Sequence, residues 1–222
     1  MMKIFGHLFK LTFLFLLFPQ ISISNTLPYG DDEKKEGNFI SLTHVTQNLI
    51  VTIPSLDLAA RLALNLYPEL KDSEIEIIEG NITTSMLAQP KFLSLMLNSK
   101  ENRKYKVVVN SNKESAKSNL IYELDLEGQV ALLAHEFAHL LDYSTQSKYE
   151  LMGTGIAYSL IPSYKTDTEH QADHEVINRG LGKGLLQFTS HVFSHERLTK
   201  KYKKYKKRYY LSPEEIASAV NP

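Results

Sequence analysis

The sequence predicts an α+β fold in which a small mixed sheet packs against a buried helix and a helical C-terminal half follows. Three observations predict it. In the first half, short runs rich in β-branched residues alternate with helical patterns. From Glu127 to Tyr143 a helical pattern carries apolar side chains on nearly every side, as a helix inside a protein does. Beyond Asp167 the periodicity is helical almost throughout.

Taken in order, Lys3 and Lys10 precede an almost wholly apolar run from Leu11 to Phe18, and Ser22-Ile23-Ser24 places small residues where a signal peptidase reads. Residues 1–24 are therefore expected to be a leader cleaved after Ser24, and the protein to be periplasmic or extracellular. The run is too short to cross a bilayer, which takes about 20 residues, so no transmembrane segment is expected in the mature chain. No cysteine near the cleavage point offers a lipid anchor. Residues 25–38 are polar and broken by Pro28, Gly30 and Gly37, a flexible mature N-terminus. The remaining residues, 39–222, are enough to close one core, since a domain of this size buries roughly 70% of its unfolded surface.

Within that domain, Phe39 to Val45 and Leu49 to Ile53 read as a strand or hairpin, and Pro54-Ser55 opens a helix running to Tyr67. Glu74 to Glu79 reads as a strand, 84–97 as a helix interrupted near Pro90, Tyr105 to Val109 as a second strand, and Asn110 to Asn119 as a polar loop. A helix capped by Asp167 or Thr168 runs to Arg179, where Gly180 stops it. Residues 183–210 read as one long helix, and Ser212-Pro213-Glu214-Glu215 is a capping box that opens a last one.

Composition narrows the function. With 25 basic and 25 acidic residues no global field draws the chain to nucleic acid. The absence of cysteine removes thiol nucleophiles and thiolate ligands, leaving His and carboxylate as the strong zinc donors. Neither G-x-S-x-G nor a phosphate-binding glycine loop occurs.

What remains is His135-Glu136-Phe137-Ala138-His139. On a helix, positions four apart stack with Cβ atoms roughly 6 Å apart, so both imidazoles can reach one ion at about 2.0–2.1 Å. Glu136 lies about 100° around the helix, beside the ion and aimed at its open coordination position, where a general base is needed. Two histidines and a glutamate on an otherwise apolar helix would cost several kcal/mol without partners. On the following helix Glu169, Ala172, Asp173, Val176 and Ile177 share one face, so two carboxylates point inward among apolar residues. Glu169 is assigned as the third ligand of a single Zn2+, and Asp173 as the group that hydrogen-bonds a ligand histidine, His135.

This set, His135, Glu136, His139, Glu169 and Asp173, resembles the gluzincin metallopeptidases, whose zinc helix H-E-x-x-H is followed by a helix bearing E-x-x-x-D or E-x-x-A-D; the small secreted minigluzincin-like members are nearest in size. The resemblance spans about Gln129 to Gly180 and implies a zincin-like fold and an exported zinc peptidase, expected to be an endopeptidase. The phrase H-E-F-A-H-L-L-D also resembles the lethal-factor type, in which a tyrosine shortly before the glutamate ligand supports the transition state. Tyr164 is the corresponding residue, at a shorter spacing, and His191 and His195 are alternative donors. The metzincin pattern fails, because its glycine and third histidine fall on Asp142 and Thr145.

A peptide or protein substrate needs an edge strand to lie on. Tyr105, Lys106, Val107, Val108 and Val109 are the candidate, unless that strand is interior. The run Lys200 to Arg208 interleaves basic residues with Tyr202, Tyr205 and Tyr209, whose stripe is expected to pack inward with the lysines in water; the alternative is contact with an anionic surface. A catalytically silent zinc-containing binding protein is the competing function.

Overall fold

In the computed structural model, residues 48–220 are described. The leader at 1–24, the segment 25–38 and the strand expected at 39–45 lie outside the described residues.

A four-stranded mixed sheet forms from β1 (Leu49–Val51), β2 (Ile75–Gly80), β3 (Met86–Pro90) and β4 (Tyr105–Asn110). Their spatial order is β1-β2-β4-β3; β1 and β2 are parallel, as are β2 and β4, and β3 runs antiparallel to β4. The chain returns from β1 to β2 through a short 3-10 turn at Pro54–Leu56 and helix α1 (Asp57–Asn65), whose Ala59, Ala60, Ala63 and Leu64 are buried against the long helix Leu126–Thr145.

Two expectations fail here. The strand from Tyr105 to Val109 is interior, flanked by β2 and β3, and therefore cannot be the edge that receives substrate. The reason is legible in Y-K-V-V-V: Tyr105, Val107, Val108 and Val109 are all buried, a near-continuous apolar run that only a strand covered on both faces accommodates. The segment 84–97 is likewise not one broken helix. Met86–Pro90 is an edge strand among the described residues, with Met86 and Ala88 inward and Leu87 exposed, and only Phe92–Leu97 (α2) is helical. Pro90 sits at the end of an edge strand, where its missing N–H is tolerated.

The C-terminal half is helical, with α3 (Leu126–Thr145), α4 (Lys148–Leu160), α5 (Pro162–Val176), α6 (Gly182–Ser194), α7 (Lys200–Tyr209) and α8 (Pro213–Val220). Helix α3 starts where the Asp125 side chain accepts the Gly128 N–H at 2.9 Å, and it ends where Arg103, itself buried, donates to the carbonyls of Tyr143 and Gln146. It is buried on almost every side from Val130 to Leu140, as its composition predicts. Tyr67 pins its middle by donating to the Ala134 carbonyl at 2.8 Å. Against its first turns α6 approaches so closely that a Cβ at Gly184 would stand 2.4 Å from the Glu127 carbonyl oxygen.

Helix α5 begins at Pro162, five residues ahead of the predicted cap at Asp167, because proline at the first helical position needs no N–H partner. Gly180, at φ 84°, turns the chain into α6. The helix predicted over 183–210 is two helices; Thr199 accepts the Tyr202 N–H at 3.2 Å and starts α7 afresh. Ser212 and Glu215 form the predicted reciprocal cap of α8, at 2.7 and 3.2 Å. Among the described residues no helix is long and apolar enough to cross a membrane.

Candidate metal centre

Helices α3 and α5 pack together and bring His135, His139 and Glu169 to one point. The two histidine Nε2 atoms are 3.2 Å apart, and Glu169 Oε2 lies 3.1 Å from that of His135 and 3.5 Å from that of His139. At zinc–ligand distances of about 2.0–2.1 Å, the corners of a tetrahedron are separated by about 3.3–3.4 Å, so the three atoms already occupy three such corners to within a few tenths of an ångström. All three residues are buried, Glu169 to 1% exposure. These side chains form a group that can hold a metal ion.

Each of these side chains has neighbours of its own. Asp173, one turn along α5 and 2% exposed, places Oδ1 2.9 Å from His135 Nδ1 in a close pair whose hydrogen-bond angle is poor, while its Oδ2 accepts the Leu211 N–H at 3.0 Å. The second oxygen of Glu169 accepts a short hydrogen bond from the Tyr158 hydroxyl on α4. Burial, and then the charge of Glu169, raise Tyr158 far above the ordinary phenol range, so it is a neutral donor. The Tyr143 ring stacks on His139 with centres 6.3 Å apart, and Tyr210 lies 5.7 Å from His135, centre to centre.

Electrostatics follow from this burial. Desolvation presses the His135 pKa down, but hydrogen bonds and charge from Asp173 and Glu169 outweigh it and raise it to about 10 when no cation is present. Desolvation also opposes ionisation of Glu169, yet its bonds to His135 and His139 hold its carboxyl well below the usual range. Glu136 follows His135 on α3; burial raises its pKa, and the nearby histidines oppose the rise. It faces a narrow cavity of about 30 Å3 whose wall includes His135, Ser85 and Met86 at the start of β3, Phe188 on α6, and Lys206 and Tyr210.

Tyr164 is not at this point. Its hydroxyl is 3.4 Å from Thr154 Oγ1, and among the described residues it makes no hydrogen bond to Glu169; Tyr158 takes that contact. Tyr158 escaped the sequence reading because α4 did, although Ser147 and Glu150 form a full capping box that marks its start. His191 and His195 are engaged elsewhere, both within 3.0 Å of Glu123 Oε2, in a second, more exposed group able to hold a metal ion; Arg197 also pairs with Glu123 at 3.1 Å. On α7, Tyr202 packs inward as expected, but Lys206 is buried with it, whereas the other lysines of that run stay exposed or half-exposed.

The chain was compared with protein-family models, with curated proteins and with solved structures, and nothing matches in any of the three.

Proposed function

We propose that this protein is a zinc-dependent peptidase of gluzincin type, with a zincin-like fold, in which His135, His139 and Glu169 hold the ion and Glu136 is the general base. The observation that carries the reading is the spacing of three buried donor atoms, close to that of three corners of a tetrahedron, beside a carboxylate that makes no hydrogen bond among the described residues. The donor set suits zinc: two imidazoles and one carboxylate, with no thiolate in the chain to compete. Charge supports it too. Glu169 and Asp173 are two buried carboxylates against the paired imidazoles, and a divalent cation balances them.

When bound, the ion supplies Lewis acidity, which lowers the pKa of water from 15.7 to about 7 and polarises a carbonyl. Glu136 takes the proton of the attacking water and delivers it to the leaving amine. His135 is oriented by Asp173, and Glu169 by Tyr158. The outer edge of β3, whose Met86 lines the cavity, offers main-chain partners to an extended peptide, the part first assigned to Tyr105 through Val109. Export through the leader at residues 1–24 belongs to the same proposal.

Glu136→Gln tests the reading. Zinc content by elemental analysis is expected to stay at wild-type level while peptide hydrolysis falls by at least about 1,000-fold, within the range over which loss of a general base acts together with its positioning. Wild-type protein that holds zinc and cleaves no member of a peptide library would instead identify the silent binding protein.

A further inference from the structure

Lys206 is the one basic residue of its run that turns inward. Its side chain lies on the tyrosine stripe of α7, at i+4 from Tyr202, and the residue is only 8% exposed. Its ammonium sits 3.3 Å from the centre of the Tyr210 ring and 5.3 Å from that of Phe188. Among the described residues no carboxylate lies within 4.0 Å of it and no acceptor hydrogen-bonds it. Neighbouring Lys203, by contrast, donates to the Phe193 carbonyl at 2.7 Å. Contact with ring faces offsets only part of what an unpaired buried ion costs. A cation kept in this condition on the wall of a cavity it shares with Glu136 and His135 calls for an anion that arrives with the ligand.

The geometry limits which anion. The ring separations put the ammonium at most about 9 Å from the His135 ring centre. One residue of extended peptide spans roughly 3.3–3.6 Å, so one or two residues on the leaving side of a scissile bond bridge that gap. The cavity is small, and a chain end needs less room there than a chain that continues.

We propose that Lys206 anchors the free C-terminal carboxylate of a peptide substrate, so that the protein removes one or two residues from the C-terminus instead of cutting within the chain. This rests on the zinc-peptidase reading for its chemistry and on Lys206 for its specificity. The bond broken is the amide one or two residues from the end; water supplies hydroxyl to the acyl side and a proton, by way of Glu136, to the departing amine.

The test uses zinc-loaded full-length protein and pairs of peptides with an apolar last residue, identical except that one ends in a carboxylate and the other in an amide. On Glu136→Gln, calorimetry is expected to show the acid binding about 10- to 100-fold tighter than the amide, the range of a charge-assisted contact. Adding Lys206→Met should bring the acid down to the level of the amide, and Lys206→Arg should preserve a preference. Wild type should release one- or two-residue fragments from the acid, seen by mass spectrometry. Equal binding of acid and amide to Glu136→Gln overturns the proposal by itself, even if the Lys206 variants do not fold. Fragments from internal positions overturn it too, as does a Lys206→Met variant that lowers kcat equally on both peptides with KM unchanged, which would place the ammonium on the reacting carbonyl. A preference in binding with no turnover by wild type would leave the anchor standing and remove the peptidase reading.

Discussion

Asp173 holds two jobs that substitution can separate. One oxygen lies 2.9 Å from His135 Nδ1, and the other accepts the Leu211 N–H at 3.0 Å, in a site where the residue is 2% exposed. Asp173→Ala removes both. An orphaned buried N–H costs about 1–3 kcal/mol, which in a domain of this size lowers the melting midpoint by roughly 2–4 °C per kcal/mol. Loss of a carboxylate behind a ligand histidine weakens metal binding about 10- to 100-fold. Asp173→Asn differs in an instructive way. Its amide oxygen can still accept from Leu211, but its NH2 then faces His135 Nδ1, which must become the acceptor. The proton moves to Nε2, the nitrogen that faces Glu169. The asparagine variant is therefore expected to recover most of the melting loss and none of the metal affinity. Circular dichroism of the metal-stripped protein reads the first quantity, and competition against a chromogenic chelator reads the second. An Asp173→Asn protein binding zinc within twofold of wild type would refute the assignment of Asp173 as the partner that sets the His135 tautomer.

Further outcomes follow from the contacts around the same site. Tyr158→Phe deletes the donor to Glu169 and should weaken zinc binding by up to about tenfold with little change in far-ultraviolet dichroism; Tyr164→Phe, whose hydroxyl meets only Thr154 among the described residues, should leave affinity unchanged in the same chelator titration. His135, raised to about 10 without a cation, is protonated at pH 7 and must give up that proton to act as a ligand, so calorimetry in buffers of differing ionisation enthalpy should count about one proton released per ion bound. The same shift sets a stability window: a folded pKa above the unfolded 6.5 contributes fully below pH 6.5 and is lost as pH rises toward 10, so the melting midpoint of stripped protein should fall over that span while that of loaded protein stays nearly flat.

What the sequence disclosed and what it hid divide along local versus tertiary information. The buried helix and its two buried histidines were legible because H-E-F-A-H interrupts a run that is apolar all round, and no solvated helix would have that pattern. The two inward carboxylates of α5 were legible from their spacing among Ala172, Val176 and Ile177, with Glu169 and Asp173 both buried as that spacing implies. Helix α4 carried a signal that was passed over: Tyr149, Met152, Ile156 and Leu160 recur at helical spacing behind the Ser147 cap, although in the fold that stripe is exposed and marks no core. With it went Tyr158. The break before α7 was a matter of one threonine cap inside a periodicity that ran on past it. The strand at Tyr105 was identified and its near-continuous apolar run carried the mark of an interior strand, but which strands flank it depends on long-range pairing that local pattern does not encode.

Lys206 had a signal that the charge pattern masked. Positions 202, 205, 206 and 209 follow the i, i+3, i+4, i+7 rule, so the lysine belongs to the same face as the tyrosines and only its residue type suggested water. Its burial bears on Glu136 directly. Desolvation raises that carboxyl, and the charge of Lys206 acts against the rise, as do the two histidines. A base that must lose its proton before reaction and hold one during it needs these opposing pushes close to balance. An arriving carboxylate at Lys206 would neutralise one of the pushes that favour ionisation, raising the proton affinity of Glu136 once substrate is seated. If the proposal holds, the anchor and the base are coupled through one low-dielectric cavity, and recognition of the chain end would prime the carboxyl to keep the proton it takes from water until the amine departs.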